Sequence, residues 1–409
     1  MRILIAAAGS RGDVAPYTGL GAALRRAGHE VALAATEGFG PLVRDAGLEF
    51  RALPGDTRAD RADLADRRQL ARKAASFLVD VGRGLSGALA DGGADLLLLS
   101  TTTAPLGWHL AEATGTPTLG AYLQPTAPTG DFPPVVTGAR SLGRLGNRAA
   151  GRFALRMADR VYGTAVGELR DRLGLPPLPA HAMRRRQDRD GWRILHGFST
   201  ALVPRPAGWR PGLEVVGNWW PYHRPEERLP ADLAAFLDAG PPPVLVGFGS
   251  MAAGEGKRLG GLAVAALRRA GLRGVLQGGA AGLVADGDDD VLTVGDVSHA
   301  LLFPRLAAVV HHAGAGTTAA ALRAGVPAVA VPVAGDQPFW AGRLTAIGAA
   351  PDPVPFPGLT AERLADALGR AVREPGYGRA AAQAARTMAA EDGAARTAEA
   401  VQRLAVPAR

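Results

Sequence analysis

The strongest chemical signal in this sequence lies where an apolar run gives way to a helical pattern. The segment Val309–Thr318 reads VVHHAGAGTT. Glycines allow close approach to the backbone, and the free N–H groups of a first helical turn attract anions. A histidine at that point can donate a hydrogen bond to a phosphate and stabilise a leaving group. The segment predicts a diphosphate site, and the alternative is a glycine turn beside a buried structural histidine.

Two further polar groups follow apolar runs in the same half of the chain. Asp336 and Gln337 stand together, and an acceptor beside a group that both donates and accepts suits adjacent sugar hydroxyls. The alternative for Asp336 is a helix N-cap. Ser250 ends the run Val246–Gly249 and is predicted to face a phosphate. It is not a nucleophile elbow, because the flanking glycines of that motif are missing.

Asp13 is the candidate general base. It ends the glycine loop Gly9–Asp13, which follows the first apolar run, Arg2–Ala8. A carboxylate there can take a proton from an attacking hydroxyl, although a helix-capping aspartate would occupy the same place. His29 and His109 are rival bases, and each is more typical of a structural histidine.

Alternating strand and helix patterns must position these residues. The first half alternates from Arg2 and ends in a predicted strand at Ala201–Val203, with an irregular Pro-rich insertion at Leu123–Pro134. The second half restarts at Val244. The pattern predicts an α/β protein with two doubly wound parallel-sheet, Rossmann-like domains that face each other across a cleft. The expected divisions are 1–204, a linker at 205–242, 243–390, and a C-terminal helix at 391–409 that packs back on the first domain.

Composition narrows the class of protein. The chain has 409 residues, 47% hydrophobic and 21% charged, which suits two or three packed domains. It has no cysteine, which excludes disulfides and thiolate chemistry.

The net charge of +8 comes almost entirely from dispersed arginines, so no nucleic-acid partner is expected. No apolar run is long enough to span a membrane, and a cytoplasmic location is expected. The acidic run Asp286–Asp290 is interpreted as a solvated loop, so no metal is expected.

Four motifs together resemble the nucleotide-sugar glycosyltransferases of the GT-B fold. They are GSRGDV (Gly9–Val14), GFGSM (Gly247–Met251), HHAGAGTTAA (His311–Ala320) and AGVPAVAVPVAGDQPFWAGR (Ala324–Arg343). The resemblance spans nearly the whole chain. It is strongest to the sterol 3-β-glucosyltransferase-like branch, which is related to the bacterial enzymes that glycosylate macrolides and glycopeptides.

The resemblance implies an inverting, metal-independent transfer of a hexose from UDP-glucose or a dTDP-sugar to a hydrophobic hydroxylated small molecule, with no cofactor. Asp13 would be the base, His312 would hold the diphosphate, and Val297 would contact the nucleobase. The phosphate site would also take Ser250, Gly314, Gly316 and Thr317, and the sugar hydroxyls would take Asp336 and Gln337. Neighbouring motif residues are assigned to the donor site as well: Ser10, Arg11, Gly12, His299, His311, Ala313 and Ala315.

Several positions depart from the family pattern. Ala313 replaces a usual glycine, which is tolerable unless the position needs a positive φ. Ala300 and Ala320 stand where relatives have a tryptophan and a ribose-binding glutamate, so the choice between uridine and thymidine is open. Alternative functions are a nucleotide-sugar epimerase, a catalytically silent donor-binding protein and, on the loose Gly-x-Gly fingerprint, a dehydrogenase. The protein would act as a monomer or homodimer, with transient membrane contact if the acceptor is a lipid.

Overall fold

A computed structural model describes residues 1–55, 67–136, 138, 140–249, 254–279, 282–284 and 290–405. The N-terminal domain is built on a parallel sheet of seven strands in the order β3-β2-β1-β4-β5-β6-β7. Its strands are β1 (Arg2–Ala6), β2 (Glu30–Thr36), β3 (Glu49–Leu53), β4 (Leu96–Leu99), β5 (Thr118–Tyr122), β6 (Ile194–His196) and β7 (Leu213–Val215). Its helices are α1 (Arg11–Arg26), α2 (Gly40–Asp45), α3 (Arg67–Ala90), α4 (Ala104–Thr114), α5 (Gly143–Arg172) and α6 (Ala180–Arg189).

The C-terminal domain has a parallel sheet of five strands in the order β10-β9-β8-β11-β12. Its strands are β8 (Val244–Gly247), β9 (Gly274–Gln277), β10 (Val291–Val294), β11 (Ala308–His311) and β12 (Ala328–Ala330). The helices from here on are α7 (Ala231–Asp238), α8 (Gly256–Ala270), α9 (His299–Leu302), α10 (Ala315–Arg323), α11 (Gln337–Ala346), α12 (Ala361–Arg373), α13 (Pro375–Ala389) and α14 (Gly393–Ala405).

Strand order fixes where ligands can bind. Central strands such as β4 (LLLL) and β8 (VLVG) are fully buried because helices cover both faces of each sheet. The strand order reverses between β1 and β4 in the first sheet, and between β8 and β11 in the second. The loops leaving the carboxyl ends of strands diverge at such a reversal and open a crevice. The loop after β1 leads into the first turn of α1, which carries Asp13, and the loop after β11 carries His312. The two strand orders confirm the prediction of two doubly wound parallel sheets.

The predicted strand at Ala201–Val203 is wrong. The backbone N–H groups of Leu202 and Val203 both donate to the carbonyl of Ser199, at 3.2 and 3.0 Å, which makes this segment a turn. Its apolar side chains are buried, but in a core shared with the second domain rather than in a sheet. Burial, not strand geometry, explains the short apolar run.

The span predicted as a linker, 205–242, contributes to both domains. Strand β7 lies inside it and pairs with β6. Helix α7 also lies inside it, and Leu233 and Leu237 pack in the core of the second domain with Leu245. The chain therefore crosses between the domains after β7 and before α7.

Helix α14 returns to the N-terminal domain. Ala400 and Val401 are buried in the core that also holds Ile5 and Leu20. The indole N–H of Trp219 contacts the carbonyl of Gly393 and the hydroxyl of Thr397, at 3.2 and 3.0 Å. The last helix thus covers the first domain although it follows the second in sequence.

The two domains contact each other directly. The guanidinium of Arg343 donates from Nε to the carbonyl of Leu202 at 2.8 Å, and Phe132 packs edge-on against Phe339 with ring centroids 5.4 Å apart. The guanidinium of Arg323 lies 4.4 Å from the ring centroid of Trp220. Among the helices whose residues are described, none has the length and apolar character needed to cross a membrane.

Candidate active site

The N-terminus of α10 presents unused backbone donors. Its N-cap is Gly314, and within the described residues no side chain caps this end. The N–H of Thr318 already bonds the carbonyl of Gly314 at 2.9 Å, which leaves the N–H groups of the first turn, at Ala315, Gly316 and Thr317, to a ligand. Gly316 is exposed, and a Cβ placed on it would meet nothing within 4 Å. This end has the open space and the partial positive charge that an anion needs.

His312 lies beside this helix end. A Cβ on Gly314 would lie 2.6 Å from Nε2 of His312, so only glycine allows the imidazole to sit there. Nδ1 of His312 is buried and has no hydrogen-bond partner among the described residues. Burial lowers the pKa of His312 to about 4, so the ring is neutral at pH 7. A neutral imidazole can donate one hydrogen bond to a ligand oxygen, and the position of this ring beside the helix end suits that role.

His311 is buried and supports the turn before α10. Its side chain is fully buried, and its Nδ1 accepts a hydrogen bond from the backbone N–H of Ala313 at 3.0 Å. Burial, with a smaller contribution from His312, lowers its pKa to about 3. The sequence assigned both histidines to the donor site, but the structure gives His311 a supporting position.

Ala313 adopts a left-handed backbone with φ of +59°, and it is the one residue other than glycine in the described chain that does so. Left-handed backbone costs an L-residue about 1–2 kcal/mol. The sequence predicted that alanine in place of glycine is tolerable here unless the position needs a positive φ. The structure shows that it does, so Ala313 is a strained replacement. The strained residue directly follows the two histidines of the predicted diphosphate segment, at the turn into α10.

The start of α1, which faces α10 from the first domain, differs because a carboxylate of its own first turn already occupies it. The N-cap of α1 is Ser10, not Asp13, and both the N–H and the hydroxyl of Ser10 donate to Oδ2 of Asp13 at 2.8 Å. A Cβ on Gly9, whose φ is +143°, would lie 2.5 Å from that same oxygen. The carboxylate of Asp13 is therefore fixed in position, half-buried, on the loop after β1.

Arg11 joins the two sides of the cleft. Its guanidinium lies 2.7 Å from Oδ2 of Asp296, across the domain boundary, and both side chains are exposed. His299, which stacks on Phe303 at a centroid distance of 4.3 Å, lies close to both charges. Burial first, and then the positive charge of Arg11, lowers the pKa of His299 to about 4. Gly12 is exposed on the same turn.

Asp336 and Gln337 lie after β12, at the start of α11. Oδ2 of Asp336 accepts from the indole N–H of Trp340 at 2.8 Å, and Oε1 of Gln337 accepts from the N–H groups of Val333 and Ala334 at 2.7 and 3.1 Å. Asp336 occupies the N-cap position but makes no capping hydrogen bond among the described residues. Both side chains are oriented by neighbours. The sequence shows Trp340 four residues after Asp336, which is one helical turn, but its role in orienting Asp336 was not predicted.

The remaining predicted residues are placed as follows. Val297 is half-buried against the core of the second domain, before α9. Ser250 and the acidic run at 286–289 lie outside the described residues. Elsewhere in the described chain, no cluster of three or more potential metal-ligating His, Asp or Glu side chains is present.

The rival bases lie away from the cleft. His29 precedes β2 and so stands at the amino edge of the sheet, opposite the loop of Asp13. His109 is buried in α4, with its Nδ1 2.7 Å from the guanidinium of Arg170, and its pKa is lowered to about 4 by burial and by that charge. The interpretation of both as structural histidines fits these positions.

A cavity of about 510 Å³ opens between α4, α5 and α6. Pro105, Tyr162, Val166 and Met183 line it, together with the buried pair of His109 and Arg170. It includes none of the predicted donor-site residues. The hydroxyl of Tyr162 donates to the carbonyl of Thr102 at 2.9 Å, which ties its wall to the loop leaving β4.

Comparison with known proteins identifies the family. Residues 276–405 match the model of the erythromycin biosynthesis protein CIII-like C-terminal domain, and residues 3–86 match that of the glycosyltransferase family 28 N-terminal domain. The chain is 38% identical to the O-mycaminosyltylonolide 6-deoxyallosyltransferase of Streptomyces fradiae, over 96% of this chain and 95% of that protein. It is 34% identical to the vancomycin aglycone glucosyltransferase of Amycolatopsis orientalis, over 94% and 93%. The chain belongs to this family of glycosyltransferases and is a glycosyltransferase itself.

Relatives outside bacteria and solved structures agree. A sterol 3-beta-glucosyltransferase of Arabidopsis thaliana is 32% identical over 90% of this chain and 60% of the longer plant protein. The calicheamicin glycosyltransferase CalG4 superposes with a TM-score of 0.74 at 19% identity, covering 100% of this chain and 99% of that chain. The fold is therefore that of GT-B glycosyltransferases, as the sequence predicted.

Proposed function

We propose that this enzyme transfers a hexose from a nucleoside-diphosphate sugar to a hydroxyl of a hydrophobic small molecule, with inversion at the anomeric carbon. One observation carries the proposal. Among the described residues, the start of α10 leaves its first-turn N–H groups without a side-chain cap, whereas the start of α1 is occupied by its own carboxylate, Asp13. An anion is favoured at the first and a proton acceptor is held at the second.

The reaction follows from this division. The acceptor hydroxyl attacks the anomeric carbon and gives its proton to Asp13. The bond from that carbon to the diphosphate oxygen breaks, and the developing charge is met by the N–H groups of α10 and by His312. Attack and departure occur on opposite sides of the carbon, because base and phosphate site belong to different domains. A single displacement of this kind inverts the configuration.

Residues on the second domain would select the donor. Asp336 and Gln337, each oriented by hydrogen bonds to its own loop or helix, would bind sugar hydroxyls, and Val297 would contact the base. Ser250, His299, Ala313 and Ala315 would complete the phosphate side, with Ser10, Arg11 and Gly12 facing it from the first domain. The donor is UDP-glucose or a dTDP-sugar. Two structures with this fold, of SsfS6 and VinC, hold thymidine diphosphate.

An apolar acceptor is favoured by the relatives, which act on a macrolide, a glycopeptide aglycone and sterols. The cavity beside α4 and α5 offers such a molecule an apolar wall that is tied to the loop after β4. No cofactor, metal or nucleic acid takes part in this proposal. A cytoplasmic monomer or homodimer would suffice, with membrane contact if the acceptor is a lipid.

The test is product analysis. Purified enzyme is incubated with each donor and a panel of lipophilic alcohols, including macrolide aglycones and sterols, and products are examined by mass spectrometry and NMR. The proposal predicts a hexosylated acceptor whose anomeric configuration is opposite to that of the donor. Retention of configuration would overturn the single-displacement mechanism. Donor epimerised without acceptor would favour the epimerase, and nucleotide binding with no turnover would favour a silent donor-binding protein.

A further inference from the structure

Exposed apolar side chains are concentrated on helix α5 and on the segment just before it in the N-terminal domain. Nine large hydrophobic residues are exposed in the described chain, and six of them lie between residues 136 and 161. Leu145 is 85% exposed and Phe153 is 57% exposed. The six are Val136, Leu142, Leu145, Phe153, Met157 and Val161. Such a concentration marks an interaction surface, because isolated exposed apolar residues are normally scattered.

Arginines run alongside this apolar stripe. On α5 they recur every fourth residue from Arg144 to Arg160, one position before the apolar series at 145, 153, 157 and 161. Residues four apart share a helix face, so the two series form adjacent stripes. Arg140, just before the helix, extends the basic one. We call this surface, formed by the two stripes, the α5 face.

The α5 face is strongly positive. Between residues 140 and 160 there are six arginines, and the single acidic residue, Asp159, is paired with Arg184. Arg144 has Asp131 at 3.6 Å, whereas Arg152 and Arg156 contact no carboxylate in the part of the chain that the structure describes. Among the residues that the structure describes, the charge of Arg152 and Arg156 is therefore not neutralised by a carboxylate.

We propose that the α5 face docks on an anionic lipid bilayer. Apolar side chains flanked by arginines are the pattern of a helix that lies in a membrane interface, with the apolar side at the acyl boundary and the cations at lipid phosphates. A second copy of this chain fits poorly, because a symmetric contact would bring the two arginine stripes together. A nucleic acid would engage the arginines but would leave Phe153 and Met157 without an apolar partner.

The position of the α5 face connects it to the rest of the molecule. The opposite side of the same helix, through Tyr162 and Val166, lines the cavity beside α4. The first turns of α5 pack on the Pro-rich loop, with Gly151 against Pro128. That loop reaches the second domain through Phe132. A docked helix would place this cavity next to the bilayer. The inference does not depend on the sugar-transfer reaction, so either can fail alone.

The test is sedimentation of the full chain with large unilamellar vesicles. Vesicles of phosphatidylcholine alone are compared with vesicles that also contain phosphatidylglycerol. The unmodified protein is expected to bind the anionic vesicles, to bind neutral ones at least about tenfold more weakly, and to be released by salt. No binding to anionic vesicles overturns the proposal without the use of any variant.

Variants locate the contact. Replacing three arginines of the α5 face with glutamine is expected to lower vesicle partitioning on the order of 10- to 100-fold. The residues replaced are Arg152, Arg156 and Arg160. A matched control removes the same charge from three exposed arginines elsewhere, Arg26, Arg379 and Arg386, and is expected to retain binding within about twofold. An equal loss in both variants overturns the assignment to α5.

A double variant, Phe153→Ser with Met157→Ser, tests the apolar stripe and is expected to weaken vesicle binding about tenfold or more. Because all the altered side chains are exposed, the urea midpoints should match the unmodified chain. Tighter binding to duplex DNA than to anionic vesicles would overturn the proposal in favour of a nucleic acid. A dimer in sedimentation velocity that this double variant dissociates would overturn it in favour of a second copy.

Discussion

At the scale of single residues, Asp13 is the group on which the proposed chemistry depends. It also accepts two hydrogen bonds from Ser10, so a purely structural role and a catalytic one must be separated. Asp13→Asn keeps an acceptor oxygen for Ser10 but cannot take a proton. We expect kcat to fall about 10²- to 10⁴-fold, as for loss of a general base, with donor affinity retained. Steady-state kinetics and nucleotide titration measure the two effects.

A purely structural role of Asp13 would give a different and recognisable result. If its carboxylate serves only the helix end, Asp13→Asn lowers the melting temperature while kcat of the folded enzyme stays unchanged. A melting curve on the same preparation therefore accompanies the kinetics.

Ala313 makes a second prediction at this scale. Its left-handed backbone would strain a β-branched residue further, and its Cβ is fully buried, so Ala313→Val is expected to destabilise the fold by about 3 kcal/mol or more. Ala313→Gly relieves about 1–2 kcal/mol of strain, but a more flexible unfolded chain and a lost buried methyl cost a similar amount. We expect a net change below about 1 kcal/mol. Urea unfolding measures both, and equal stability of the valine variant would contradict the strained backbone.

Residue types predict where the candidate site lies, but they do not distinguish the roles of neighbouring side chains. The spacing of His-His, Gly-x-Gly and Thr-Thr pointed to the phosphate end of α10, because close approach and helix-end charge are local properties. The division between His312 and the buried His311 depends on which way each side chain turns from β11. That orientation is set by tertiary packing, as is the bond from Trp340 to Asp336.

At the scale of elements, α14 provides the clearest prediction. Val401 is completely buried against the first domain, whereas Leu404, one turn further, is 41% exposed. Val401→Ala is expected to destabilise the fold by about 2 kcal/mol because it leaves a cavity in that core. Leu404→Ala, the control on the same helix, should change stability by less than about 0.5 kcal/mol. Equal effects in urea unfolding would mean that α14 does not pack as described.

Element boundaries were predictable where local signals agreed. The helix Ala361–Arg373 begins where a local signal places it, because the hydroxyl of Thr360 accepts a hydrogen bond from the backbone N–H of Arg363 and caps the helix. The apolar run at Ala201–Val203 was wrongly predicted as a strand, because a turn that is buried against the second domain shows the same run of apolar residues. The strands β6 and β7, three residues each, are set by sheet pairing rather than by their own sequence.

At the scale of the whole molecule, buried histidines predict acid sensitivity. His109, His196 and His311 are at most 1% exposed, and burial lowers their pKa values to about 4, 4 and 3. In the unfolded chain each takes up a proton near pH 6.5, whereas in the folded chain it does not. The unfolded state therefore binds more protons below pH 6.5, and stability falls as the pH is lowered towards 4.

The expected slope between pH 6.5 and 5 is up to about 1.4 kcal/mol per pH unit for each of these three histidines. Carboxylates titrate mainly below this window, so their contribution is small there. The free energy of unfolding in urea, measured at steps across the window, gives the slope. A free energy that stays constant from pH 6.5 to 5 would contradict the burial of neutral histidines.

The arrangement of the two domains also belongs to this scale. The order of the motifs predicted facing halves, but the pair of Arg11 and Asp296 across the cleft joins residues 285 positions apart, a contact that local patterns do not reveal. The same is true of α14 on the first domain. Long-range contacts of this kind follow from the assembled core.

The donor diphosphate site proposed at the start of α10 is tested most directly by a calorimetric titration. UDP and dTDP are titrated into the unmodified enzyme and into His312→Ala. His181→Ala, which alters an exposed histidine on α6, is the control. We expect at least one nucleotide to bind, with an affinity at least about tenfold weaker in His312→Ala because a hydrogen bond to the diphosphate is lost, and unchanged in the control. Binding of equal strength in all three proteins, or binding of neither nucleotide, would contradict a donor diphosphate site at the start of α10.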